Sequence, residues 1–125
     1  MSERISSFRE LRAYQSAFRF QQKLFEVSKN FPVEERYSLT DQGRRSSRSI
    51  GANIAEAWQK RRYPAHFVSK LTDADAELAE SQHWIDTAFA CGYICTESRD
   101  DMDQQCEDIG RMLGSMIAHP EKFCH

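Results

Sequence analysis

The sequence is short of the residues that break helices: five glycines and three prolines in 125 residues. A chain with many turns draws on both, so their scarcity favours long helices. No run approaches the roughly 20 apolar residues of a membrane span. Met1 to Ser7 lacks the apolar stretch of a secretory signal. Both absences suggest a cytoplasmic protein that does not enter a membrane. Without a secretory signal, the four cysteines (Cys91, Cys95, Cys106 and Cys124) are not expected to form a disulfide framework. Three residues separate Cys91 from Cys95 and no histidine lies near, so the four ligands of a closed zinc site are missing. There is no glycine-rich phosphate loop, nucleophile elbow or zincin motif. No convincing stretch of strand period, internal repeat or linker interrupts the chain.

Hydrophobic residues make up 40% and charged residues 29%, an ordinary globular balance that argues against disorder. The length fits one domain with one core, residues 1–125. Helical periodicity then predicts four helices, over about 8–29, 39–60, 64–90 and 97–117.

Ser7 and Glu10 form a capping-box pattern before the first helix. That helix is apolar on two sides. Leu11, Tyr14, Phe18 and Phe25 make one stripe. Ala13, Phe20, Leu24, Val27 and Phe31 lie nearly opposite. A bundle helix normally buries one stripe, so the second set is read as an oligomer interface. Phe31-Pro32 ends the helix, and Ser38 to Asp41 reads as the cap of the second. The inner face there is Leu39, Gly43, Ser46, Ile50, Ile54 and Ala57, with Ser47, Gly51 and Ala55 alongside. These small side chains would let backbones approach closely. Pro64 suits the first turn of the third helix. Its core series is Phe67, Leu71, Ala74, Leu78, Ser81, Ile85 and Ala88, with Gly92 as C-cap. Thr96 or Ser98 would cap the fourth helix, whose core face is Met102, Cys106, Ile109, Leu113 and Met116. His119-Pro120 ends it, and the tail to His125 is expected to be loose. Four helices with short connections imply an all-α, antiparallel up-down four-helix bundle.

Charge is unevenly spread. Residues 31–70 hold eight Lys/Arg against four Asp/Glu, whereas residues 71–110 hold one, Arg99, against eleven. The basic clusters are Arg44, Arg45 and Arg48 on the second helix, then Lys60, Arg61 and Arg62 at its end. They read equally as solvated, salt-bridged or dipole-complementing cations and as a phosphate-binding strip. Glu80 and His83 match the Glu-x-x-His element of di-iron bundles. Both fall on the outward side of their helix, and the other ligands are missing, so no metal or other cofactor is expected. Ser46, Ser47 and Ser49 read as packing residues, and His66 and His83 as isolated polar-face residues. No group of side chains converges as catalysis would require.

Several segments together resemble a known family. They are Phe8-Arg9-Glu10-Leu11, Phe31-Pro32, Glu35 to Thr40, Gln42 to Arg45, and Ser49 to Glu56 with its Asn53-Ile54-Ala55-Glu56 element. Leu78-Ala79-Glu80 and Gly92-Tyr93-Ile94 also fit. They are similar to the four-helix-bundle proteins encoded within bacterial 23S ribosomal RNA intervening sequences, over nearly the whole chain. The resemblance implies a bundle that assembles into a ring, commonly a homopentamer, with no known enzymatic activity. It extends to the accessory variability determinant of diversity-generating retroelements, which binds a reverse transcriptase and nucleic acid through a basic surface. Family members often carry Pro at the position of Gly51 and Gly at that of Ala57. The retroelement branch is strongly basic, whereas this chain has a net charge of −2. The expectation is therefore a non-catalytic, ring-forming homo-oligomer that binds RNA or a ribonucleoprotein through Arg44, Arg45, Arg48, Lys60, Arg61 and Arg62. The alternative is a protein-interaction scaffold, such as a reverse-transcriptase accessory subunit.

Overall fold

A computed structural model describes residues 5–125. It is an all-α four-helix bundle of α1 (Arg12–Ser28), α2 (Asp41–Gln59), α3 (Pro64–Ala90) and α4 (Thr96–Ala118), with no strand among the described residues. Each helix packs on its two neighbours in an up-down square, α1 between α2 and α4, and α3 between the same two. The largest interface joins α2 and α3. There the small side chains act as their spacing suggests. Ser46 and Ser81 are fully buried, and Ser81 Oγ donates to Ser46 Oγ at 2.9 Å across the interface. Pairing the two hydroxyls avoids the cost of a lone buried polar group.

The core residues of α3 and α4 are the expected ones, and the expected inner-face residues of α2 are buried, joined by Trp58, which helical spacing did not single out. Gly92 adopts φ +78° beyond α3. The Gly92 N–H donates to Phe89 O and the Tyr93 N–H to Ala88 O, both at 2.9 Å, which completes a Schellman motif.

Four expectations are corrected. First, the face of α1 assigned to an oligomer interface is the core of the single chain. Ala13, Phe20 and Leu24 are buried, with Phe20 at 0% exposure, and Val27 and Phe31 are partly covered. Apart from Leu11, the stripe taken for core faces outward: Phe18 is 45% exposed, while Tyr14 and Phe25 are half-buried. Both stripes are apolar and nearly opposite, so periodicity marks two faces without saying which is covered. Second, Ser7 and Glu10 cap a separate 3-10 turn, Phe8–Glu10, with the Glu10 carboxylate accepting the Ser7 N–H at 2.8 Å. Leu11 is extended, and α1 starts only at Arg12.

Third, the expected caps of α2 and α4 are replaced. A π-helical turn, Arg36–Thr40, runs directly into α2 without a side-chain cap, while Ser38 Oγ donates to Glu35 at 2.7 Å. At α4 the cap is Cys95, whose Sγ accepts the Ser98 N–H at 3.5 Å. Fourth, the C-terminal tail is docked. Pro120–Lys122 forms a short turn, and Phe123 stacks on the buried Phe67 with ring centroids 5.8 Å apart. Phe123 and Cys124 pack partly buried against the core, and backbone hydrogen bonds from Phe123 and Cys124 to Pro120 O add to this packing, which together offset the entropy of ordering the tail.

Candidate nucleic-acid interface

The basic residues of α2 meet an aromatic ring from α1. Phe25 lies beside α2 and carries three cations over its face. The guanidinium of Arg44 is 4.7 Å from the ring centroid, that of Arg48 5.5 Å, and Lys29 Nζ 4.9 Å. Arg44 is fixed further because its Nε donates to Ser28 Oγ at 2.8 Å. Ser28 in turn donates to Phe25 O at 2.8 Å, as a serine near a helix end can. Arg44, Arg45 and Arg48, with Asp41, Ser49 and Ala52, line an open groove of about 530 Å³.

Arg45 differs from its neighbours. It bridges Glu77 and Glu80 of α3, which also ties α2 to α3. Glu80 also accepts the Trp84 indole N–H at 3.1 Å. The Trp84 hydrogen bond, then Arg45, holds the Glu80 carboxyl below its usual range, and the Glu80 hydrogen bond raises Arg45. Arg45 therefore already has its anions. His83, the other half of the Glu-x-x-His element, is exposed and packs edge-on against Trp84 at 4.8 Å.

The second cluster is separate. Lys60 lies twelve residues beyond Arg48, roughly 18 Å along the helix axis. The Arg61 guanidinium sits 3.9 Å over the Trp58 ring and donates to Trp58 O at 2.9 Å, covering the end of α2. Arg62 lies 5.9 Å over Tyr63. The six basic residues thus form two patches, one grooved and aromatic, the other a helix terminus.

Phe25, Ser28 and Lys29 were not among the candidate binding residues. The signal for Phe25 was present, since it belongs to the outer stripe of α1. Its neighbourhood with Arg44 and Arg48 depends on how α1 and α2 pack, and helix spacing does not give that. Opposite the basic groove, α3 and α4 carry Asp86, Asp100, Asp103 and Glu107. Burial, then the negative field of Asp86, raises the Asp103 carboxyl. The acidic run of the sequence thus lies on α3 and α4.

The bundle and its segment pattern agree with a family match that spans residues 9–115. The chain belongs to the 23S rRNA-intervening sequence protein family. A solved relative is a protein of unknown function of the S23 ribosomal protein family from Bacteroides thetaiotaomicron VPI-5482. It superposes with a TM-score of 0.76 at 27% identity, over 84% of this chain and 97% of its own. No curated protein matches the chain in sequence. Among the described residues, no helix is long and apolar enough to cross a membrane.

Proposed function

We propose that this family member is a non-catalytic, cytoplasmic, ring-forming homo-oligomer that binds RNA or a ribonucleoprotein through the basic groove of α2 and the Phe25 ring of α1 beside it. The observation that carries the reading is Phe25 with Arg44 and Arg48 stacked against it. Arg44 gives its Nε–H to Ser28, but the terminal N–H groups of guanidiniums held over a ring can still meet phosphate oxygens, and their planes accept bases. The test is binding of short single-stranded RNA across a salt series. Counterion release predicts a steep fall in affinity with salt. Arg44→Gln with Arg48→Gln should weaken binding at least tenfold. Arg45→Gln should do less, because Glu77 and Glu80 already hold that charge. No binding at low salt, or equal losses from all three positions, would overturn the groove assignment.

The oligomer part of the proposal rests on the outward stripe of α1. Phe18 is 45% exposed beside Tyr14, their rings 6.2 Å apart, and a second copy would cover this stripe. Basic α1–α2 and acidic α3–α4 faces favour head-to-tail contacts between copies, the kind that close into rings, a homopentamer among them. A second reading is a protein-interaction scaffold, of the kind that serves a reverse transcriptase in diversity-generating retroelements. The exposed Val33 and Tyr37 in the α1–α2 connection favour it, at 79% and 71% exposure. Capture of a reverse transcriptase from the native host, lost on Tyr37→Ser, would support it over RNA.

A further inference from the structure

On its other flank, α1 forms a second basic hollow, against α4. It has a volume of about 440 Å³ and is lined by Arg12, Ser16, Arg19, Asp108, Arg111 and Met112 among others. Small-ligand sites span roughly 300–1,000 Å³, so the space suits a compact group. Three guanidiniums meet there against one carboxylate, and that carboxylate, Asp108, is already paired with Arg111. Arg19 has a neutral partner, donating to Ser16 Oγ at 3.2 Å. Ser16 Oγ also donates weakly to Met112 Sδ at 4.0 Å.

Arg12 and Arg19 stand apart from the other described arginines. Arg45, Arg99 and Arg111 have carboxylates. Arg9, Arg36, Arg44, Arg48, Arg61 and Arg62 lie over aromatic rings. Among the described residues Arg12 and Arg19 have neither, although they share the hollow with each other and with Arg111. An anion seated between Arg12, Arg19 and Arg111 would relieve their mutual repulsion.

The surplus of two positive charges decides the class of anion. A carboxylate would leave one charge uncompensated. A phosphate monoester or pyrophosphate carries about two negative charges or more near neutral pH. Its oxygens also match the planar fork of a guanidinium, two at a time. We propose that this hollow binds a phosphate monoester or pyrophosphate group, carried by a free small molecule or by the end of an RNA strand. The site uses no residue of the α2 groove and not Phe25, so it stands or falls independently of the proposed RNA surface.

The test follows the arginine Nε–Hε resonances of the full chain while inorganic pyrophosphate is added at low salt. Arg12, Arg19 and Arg111 should shift together and saturate, with a Kd below about 1 mM. Arg12→Gln with Arg19→Gln should weaken binding at least tenfold, and unchanged far-UV circular dichroism would show that the fold survives. Asp108→Asn should tighten binding by freeing Arg111. Arg44→Gln with Arg48→Gln should leave it unchanged. Shifts that never saturate, or equal weakening by both arginine pairs, would mean diffuse attraction and overturn the site. A 5′-phosphorylated oligonucleotide that displaces pyrophosphate, when its 5′-hydroxyl twin does not, would assign the group to an RNA end. Displacement by neither would assign it to a small phosphate. Equal displacement by both would overturn the assignment to a terminal phosphate group of either source.

Discussion

Gly51 and Gly92 meet opposite constraints in the same bundle. Gly51 lies inside α2, where a glycine costs about 1 kcal/mol relative to alanine. A Cβ added there would lie 3.5 Å from Tyr14 Cε1, an ordinary contact. Gly51→Ala should therefore raise stability by about 0.5–1 kcal/mol, read as a higher urea midpoint with an unchanged m-value. Gly92 has open space around it but a φ of +78°. Gly92→Ala should lower stability by about 1 kcal/mol through backbone strain alone. A gain at Gly92 or a loss at Gly51 would contradict this account. Glu35 offers a test of pH dependence. Its carboxylate accepts the Ser38 hydroxyl and then the Tyr93 hydroxyl, at 2.7 and 2.9 Å, and both hold its pKa below the usual range. The same contact pushes Tyr93 up to about 12. A depressed carboxyl stabilises the fold above its unfolded pKa, about 4.3, and loses that contribution as pH falls through the folded value. Tyr93→Phe should thus melt lower than the parent at pH 7, and the gap should narrow as pH falls below the usual carboxylate range.

Element by element, what could be read from the sequence tracks the contrast between faces. On α3 and α4 one apolar stripe stands against polar flanks, and the buried residues there are those that the spacing picks out. On α1 two apolar stripes compete, and only the packing of α2 and α4 decides between them. The stripe that won includes Phe20 and Leu24. The one that lost keeps Phe25, the ring over which Arg44 and Arg48 lie. The docked tail was hidden for a similar reason, because Phe123 has no periodic companions to mark it as buried. Substitutions on α1 separate the two faces. Phe20→Ala should cost about 3–5 kcal/mol, as large core truncations do. Phe18→Ser, at a surface position, should change monomer stability by no more than about 0.5 kcal/mol. Chemical denaturation of both variants checks this, and similar losses would mean that α1 is not oriented as described.

At the scale of the molecule, charge and the outward stripe of α1 make one joint prediction about assembly. Two faces of opposite sign attract when copies meet head to tail and repel when like faces meet. Such attraction weakens within a Debye length of about 8 Å at physiological salt and shortens further as salt rises. Burial of Phe18 and Tyr14 does not weaken in that way. The two contributions can therefore be told apart by mass from light scattering. If the proposed ring forms, its mass at low salt should be a multiple of 14.6 kDa. Phe18→Glu should split it to the monomer at every salt concentration while leaving helicity intact. Raising salt alone should shift the parent toward smaller species only at low protein concentration. Phe20→Glu cannot stand in for this experiment, because it buries a charge in the core and should unfold the chain instead. A parent that stays at 14.6 kDa across concentration and salt would overturn the ring. An assembly that survives Phe18→Glu would move the interface off α1, toward the exposed Val33 and Tyr37 of the α1–α2 connection.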